Sequence, residues 1–128
     1  MKITSILFVD AVEPSLDFWV GKLGFTKTVE VPEGNNIGFA ILQKGSAELM
    51  IETRSSVLKE EPVKGLNMSD YMQASAALYI EVDDFADLLK RVDGTPVVMP
   101  VRKTFYGMDE IGVREPGGNL VTFASRSK

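Results

Sequence analysis

The sequence contains no cysteine and no histidine. Without cysteine there can be no disulfide, no thiolate nucleophile and no zinc–thiolate centre. Without histidine there is no imidazole ligand and no triad or dyad built on imidazole. Any catalysis would fall to carboxylates, Lys, Arg, Tyr, Ser, Thr or a bound cofactor. Long apolar runs are missing too. No stretch approaches the roughly 18 uninterrupted apolar residues of a membrane span, and Met1-Lys2 leads straight into a strand pattern rather than a signal-peptide core. These absences point to a soluble, cytoplasmic protein without a membrane partner. Basic runs are absent as well. With 14 Lys+Arg against 18 Asp+Glu, the net charge is −4, which argues against nucleic acid as a partner and suits a neutral or cationic small ligand. No G-x-G-x-x-G or P-loop spacing occurs. Gly38, Gly107, Gly112 and Gly118 therefore read as turn and bulge residues rather than a phosphate cradle.

What is present suits one ordinary globular domain, 1–128, with 45% hydrophobic and 25% charged residues among 128. Lys2 to Asp10 is β-branched and apolar enough for a strand. Glu13-Pro14 opens a helix with Leu16, Trp19, Val20 and Leu23 at helical spacing, stopped by Gly24. On that stripe the lone Trp19 reads as core. Strands follow at Phe25–Val31, Ile37–Gln43 and Ala47–Thr53. Arg54 to Ser75 is a polar connector with a short helix at Val57–Glu61 and Leu66, Met68, Tyr71 and Met72 as apolar anchors. The pattern then restarts: a strand at Ala77–Asp83, a helix capped by Asp83 or Asp84 with Phe85, Leu88, Leu89 and Val92 as its stripe, and a strand at Val97–Phe105. Pro100 marks that strand as an edge or a bulge. Asp109–Glu115 and Leu120–Arg126 form a closing hairpin.

The two halves repeat. Phe8-Val9-Asp10-Ala11-Val12 matches Glu81-Val82-Asp83-Asp84-Phe85 at an offset of 73 residues, and Ile37-Gly38 matches Ile111-Gly112 at 74. A half too small to bury its own sheet face must pair with its copy. The expected fold class is α+β: two βαβββ modules, 1–54 and 76–128 with a connector at 55–75, forming a curved mixed sheet around a cavity.

Three motifs, Phe18-Trp19 with Leu23-Gly24-Phe25, Ile80-Glu81-Val82-Asp83-Asp84, and Tyr106-Gly107-Met108 followed by Arg114-Glu115-Pro116-Gly117-Gly118-Asn119, resemble the signatures of the vicinal oxygen chelate superfamily. That superfamily holds glyoxalase I, extradiol dioxygenases and the fosfomycin and bleomycin resistance proteins. The resemblance spans nearly the whole chain. It implies paired βαβββ modules, usually a dimer, with a ligand cavity inside the sheet. It also implies four metal-ligand positions, which fall here on Thr4, Glu48, Ala77 and Thr122. One carboxylate and two hydroxyls are too few donors for a tight divalent site. The chain therefore looks closer to the metal-free bleomycin resistance-like branch, with no metal and no cofactor.

Strand alternation assigns faces. If Thr4 faces the cavity, so do Ile6, Phe8 and Asp10, with Ile3, Leu7 and Val9 toward the helix. Glu48, Met50 and Glu52 share a face, as do Ala77, Tyr79, Glu81 and Asp83, and Leu120, Thr122 and Ala124. The expected ligand-binding residues are Phe8, Glu48, Met50, Glu52, Tyr79, Glu81, Tyr106 and Thr122, with Glu48 the leading one because an acid between Ala47 and Leu49 needs a partner. Aromatic walls with a few acids suit a planar or cationic ligand. The leading reading is a homodimeric, metal-free binding protein that sequesters a cationic or aromatic antibiotic, stacking it on Phe8, Tyr79 and Trp19 or Tyr106 without making or breaking a bond. The alternative is an enzyme of lyase or dioxygenase type. It would use a carboxylate-only metal site on Glu48 plus Glu52, Glu81 or Asp10, or no metal with Glu48 or Tyr79 as acid–base group. A third reading is a protein–protein adaptor that keeps the fold and has a filled cavity.

Overall fold

The computed structural model describes residues 1–59, 72 and 76–128. The expected anchors Leu66, Met68 and Tyr71 lie outside the described residues. The chain divides into two compact units, Met1–Ser75 and Ala76–Lys128.

The first unit runs β1 (Ser5–Val9), α1 (Val12–Leu16), a π-helical turn (Asp17–Lys22), β2 (Thr26–Glu33), β3 (Asn36–Lys44), β4 (Ala47–Thr53) and α2 (Arg54–Lys59). The second runs β5 (Ala77–Glu81), α3 (Phe85–Arg91), β6 (Val97–Lys103), β7 (Met108–Arg114) and β8 (Leu120–Arg126). Each unit has its own four-stranded mixed sheet, ordered β1-β4-β3-β2 and β5-β8-β7-β6. In each, the first strand pairs parallel with the last and the other pairs are antiparallel. The sequence repeat is thus a repeat of topology.

Alternation decides what each sheet buries. On β4, Leu49, Ile51 and Thr53 are buried while Glu48, Met50 and Glu52 are half-buried. α1 packs against β3 and β4, on the side where Leu7, Val9, Ala40 and Leu42 are buried. The larger of these, Leu7, Val9 and Leu42, each contribute roughly 1.5–3 kcal/mol by leaving water. In the second unit Asp84 caps α3, its carboxylate accepting the Asp87 backbone N–H at 3.0 Å. β6 is an edge strand, and its register shifts on both sides of Met99, the second time across Pro100.

Four details differ from the sequence expectation. The β1–β4 ladder begins at Ser5, so Ile3 lies outside the strand and is 87% exposed instead of facing the helix. The first helix loosens into a π turn, whose wider winding buries the adjacent Phe18 and Trp19 and leaves Val20 exposed. The connector helix begins at Arg54 rather than at Val57, and the expected end at Glu61 lies outside the described residues.

The fourth concerns the second repeat match. The 73-residue offset holds from β1 to β5, but Glu52 and Phe39 correspond by pairing to Ala124 and Glu110. Gly38 and Gly112 are therefore not equivalent. Gly38 shares a face with the buried Ala40, whereas Gly112 is on the opposite face with Thr122 and Glu110. An odd slip in a strand inverts every face.

Candidate functional site

In the first unit the register places Phe8, Glu52 and Phe39 side by side across three strands. Ile6, Met50 and Ile41 form the next row, and Glu48 lies opposite Gln43. Residues directly opposite share a face. The expected residues Phe8, Glu48, Met50 and Glu52 are thus together on the face turned away from the helix. Phe39 and Ile41 belong to it as well. Alternation along Ile37–Gln43 carried that signal, but the sequence alone does not say which face of β3 meets which face of β4. Asp10 lies beyond β1 and pairs with Arg54 at 2.8 Å.

Glu48 has the partners an acid in that place requires. Gln43 Nε2 donates to it at 2.7 Å, Thr4 Oγ1 at 3.2 Å and the Lys2 ammonium at 3.0 Å. The Gln43 bond, the Lys2 ammonium and the Thr4 hydroxyl hold its carboxyl below the ordinary range, against the opposing effect of partial burial. Glu52 accepts from Ser56 Oγ at 3.1 Å.

The second unit carries a more tightly built arrangement, centred on a residue that strand alternation did not single out. Glu110 on β7 is 1% exposed. Its Oε2 accepts the Tyr79 hydroxyl and the Tyr106 hydroxyl, each at 2.6 Å. Its Oε1 accepts Arg102 Nε at 3.2 Å and Nη2 at 3.0 Å. The two phenols favour the charged carboxylate and hold it below its ordinary range, with Arg102 adding to them and burial opposing. The same bonds push both phenols up. Tyr79 and Glu81 on β5 face Thr122 and Ala124 on β8, and these face Gly112 and Glu110. Tyr79, Glu81 and Thr122 are therefore on one face, and Tyr106 joins them through Glu110. Trp19 does not serve as a stacking wall. It is fully buried, edge-on to Phe18 at 5.2 Å and to Phe25 at 5.4 Å.

The donor set does not fit a metal. Glu48 is already engaged by an ammonium, a hydroxyl and an amide. Opposite Ala77 stands Leu120, the position that Glu48 holds relative to Thr4. Thr122 lies two pairs further along, opposite Tyr79. Among the described residues no three Asp, Glu, Cys or His side chains come together in a way that could hold a metal ion. A separate cavity of about 250 Å³ in the first unit is lined by Asp10, Glu13 and Glu33 among others. Two of its acids serve the fold: Glu13 accepts the Ile37 N–H at 2.8 Å, and Glu33 accepts Thr53 Oγ1 at 2.8 Å and the Lys59 ammonium at 3.1 Å. No described helix is long and apolar enough to cross a membrane.

Comparison with solved structures finds the same fold in several proteins. TioX from Micromonospora sp. ML1 superposes with a TM-score of 0.76 at 20% identity, covering 98% of both chains. Lactoylglutathione lyase from Agrobacterium tumefaciens gives 0.73 at 14% identity, covering 98% of this chain and 92% of that one. The bleomycin-binding protein of bleomycin-producing Streptomyces verticillus, in complex with copper(II)-bleomycin, gives 0.62 at 23% identity, covering 100% and 97%. No curated protein matches in sequence. Residues 2–123 match the family model described as Glyoxalase/Bleomycin resistance protein/Dioxygenase superfamily, and the chain belongs to that superfamily.

Proposed function

We propose that this chain is a metal-free small-molecule-binding protein that sequesters a planar or cationic organic ligand, an antibiotic of the bleomycin class being the leading candidate. It would act in the cytoplasm as a homodimer. The observation that carries this reading is the chemistry of the two sheet faces. Phe8, Met50, Phe39 and Ile41 are half-buried beside Glu52 in one unit. Tyr79 and Tyr106 are half exposed beside Glu81 in the other. Apolar and aromatic surface with a few acids binds by stacking and charge, and no bond need be made. The fold neighbour from Streptomyces verticillus, a bleomycin-binding protein, supports the ligand class.

The enzyme reading has less support. A phenol that donates into a buried carboxylate keeps its proton through neutral pH, so Tyr79 makes a poor base. Glu48 is engaged on both oxygens. Isothermal titration of the full chain against bleomycin and a panel of cationic aromatic compounds tests the proposal. Saturable binding of at least one panel member is expected, and no binding across the whole panel overturns it.

A further inference from the structure

Glu110 and Tyr79 stand on strands that flank β8. Neighbouring strands are about 4.8 Å apart, so the two backbones are separated by roughly 10 Å. The Tyr79 hydroxyl nevertheless reaches the Glu110 carboxylate at 2.6 Å. To span that gap the phenol must lie down along the sheet, across β8. The residues of β8 on this face are Thr122 and Ala124, opposite Tyr79 and Glu81. Both are small enough to lie beneath a ring, and Ala124 is fully buried. Tyr79 is nevertheless 51% exposed. Tyr106 comes from the β6–β7 turn, puts its hydroxyl on the same carboxylate oxygen and is 47% exposed. Phe105 lies edge-on to Tyr106 at 5.0 Å and is fully exposed.

Charge selects the occupant. Arg102 neutralises Glu110. Glu81 lies in the same cross-strand row, is exposed, and forms no ion pair with a described cation. A phenol donating to a carboxylate becomes more electron-rich, and its ring face attracts a cation more strongly. We propose that Glu110 is the positioning residue of a stacking platform for planar aromatic cations, formed by the rings of Tyr79 and Tyr106 with Glu81 as the charge partner. This rests on the binding reading above and assigns it a surface and a ligand shape.

Titration calorimetry of the full chain with ethidium tests it, with tetraethylammonium (a cation that is not planar) and 2-naphthoate (planar but anionic) as comparison probes. Ethidium should bind about tenfold more tightly than either, a difference of the size that stacking and cation–π contacts supply. Tyr79→Phe keeps the ring and removes the anchor, and should weaken ethidium about fivefold. Glu110→Gln should do the same, and Tyr79→Leu should cost about tenfold or more. Tyr79→Phe alters an exposed ring and keeps the test open should Glu110→Gln fold poorly. In ligand-free Glu110→Gln, tyrosinate absorbance should appear at lower pH than in the unmodified chain, and an unchanged titration overturns the positioning role. Ethidium binding that neither Tyr79→Phe nor Glu110→Gln weakens also overturns it. So does binding of bleomycin without ethidium, although that leaves the wider binding reading standing. Binding of neither ethidium nor any member of the earlier panel, bleomycin included, removes both.

Discussion

The Tyr79 hydroxyl donates to Glu110 Oε2 at 2.6 Å from two strands away, and the Tyr106 hydroxyl meets the same oxygen at 2.6 Å. With Arg102 on the other oxygen, a buried acid is fully satisfied by three side chains. Such a group is costly only when a partner is removed. Glu110→Ala removes the acceptor that Arg102 and two phenols share, all three about half exposed, and should destabilise the chain by about 2 kcal/mol, read from the urea midpoint. A loss below about 1 kcal/mol would show that the cluster contributes little to folding.

Acid sensitivity follows from the same cluster. Glu110 is held below the ordinary carboxyl range by Tyr106 and Tyr79, with Arg102 contributing. The unfolded chain therefore binds the proton more readily than the folded one. The resulting stability is present above the unfolded value, roughly pH 4.3, and is lost as pH falls through it toward the lower folded value. Glu33, Glu48 and Asp109 are shifted in the same direction and add to the effect. The urea midpoint should fall between roughly pH 6 and pH 3, and Glu110→Gln should flatten that dependence. Equal slopes in the two proteins would remove Glu110 from the account.

Two glycines are required by close approach. A Cβ at Gly112 would come within 2.9 Å of Met99 Cβ, and one at Gly38 within 2.9 Å of Glu33 Cβ. Both clashes are with Cβ atoms, which move only with their backbone. Gly38→Ala and Gly112→Ala should each cost about 1–3 kcal/mol, seen as lower thermal midpoints. Alanine at Gly21, where nothing stands within 4 Å of an added Cβ, is the matched control.

The Asp84 cap gives a smaller, local prediction. Asp84→Ala removes the acceptor of the Asp87 N–H and should cost about 1 kcal/mol. Asp84→Asn should retain most of it. Identical losses for the two variants would mean that the cap bond is not the source.

Metal content is the fifth expectation. Protein purified without chelator should carry no stoichiometric divalent metal by elemental analysis, and chelator should leave its thermal midpoint unchanged. The physical reason is the Lys2 ammonium 3.0 Å from Glu48, on an oxygen that a cation would need. One equivalent of metal, lost on Glu48→Ala, would overturn this.

Much of the fold was legible in the chain. The strands at Ala47–Thr53 and Leu120–Arg126 stand where alternation put them, because a half-buried strand shows its period in the sequence. Pro100 marked the edge strand, since a residue without an N–H is excluded from the middle of a sheet. Tyr79, Tyr106, Glu48 and Glu81 were each visible as candidates. Glu110 was not, because Met108 to Arg114 mixes apolar and charged residues without a clean alternation, and nothing local shows that its acid is buried.

The absence of cysteine and histidine, the alternation along the strands and the doubled FVDAV-like segment belong to the sequence by itself. They determine the residue types available for chemistry and the two-module α+β plan, because they depend only on composition and local period. Register belongs to the tertiary structure. Pairing across β8 brings Tyr79 to Glu110, places Leu120 rather than Thr122 opposite Ala77, and puts Gly38 and Gly112 on opposite faces. A shift of one residue inverts a face, and hydrogen bonds across the sheet select the shift.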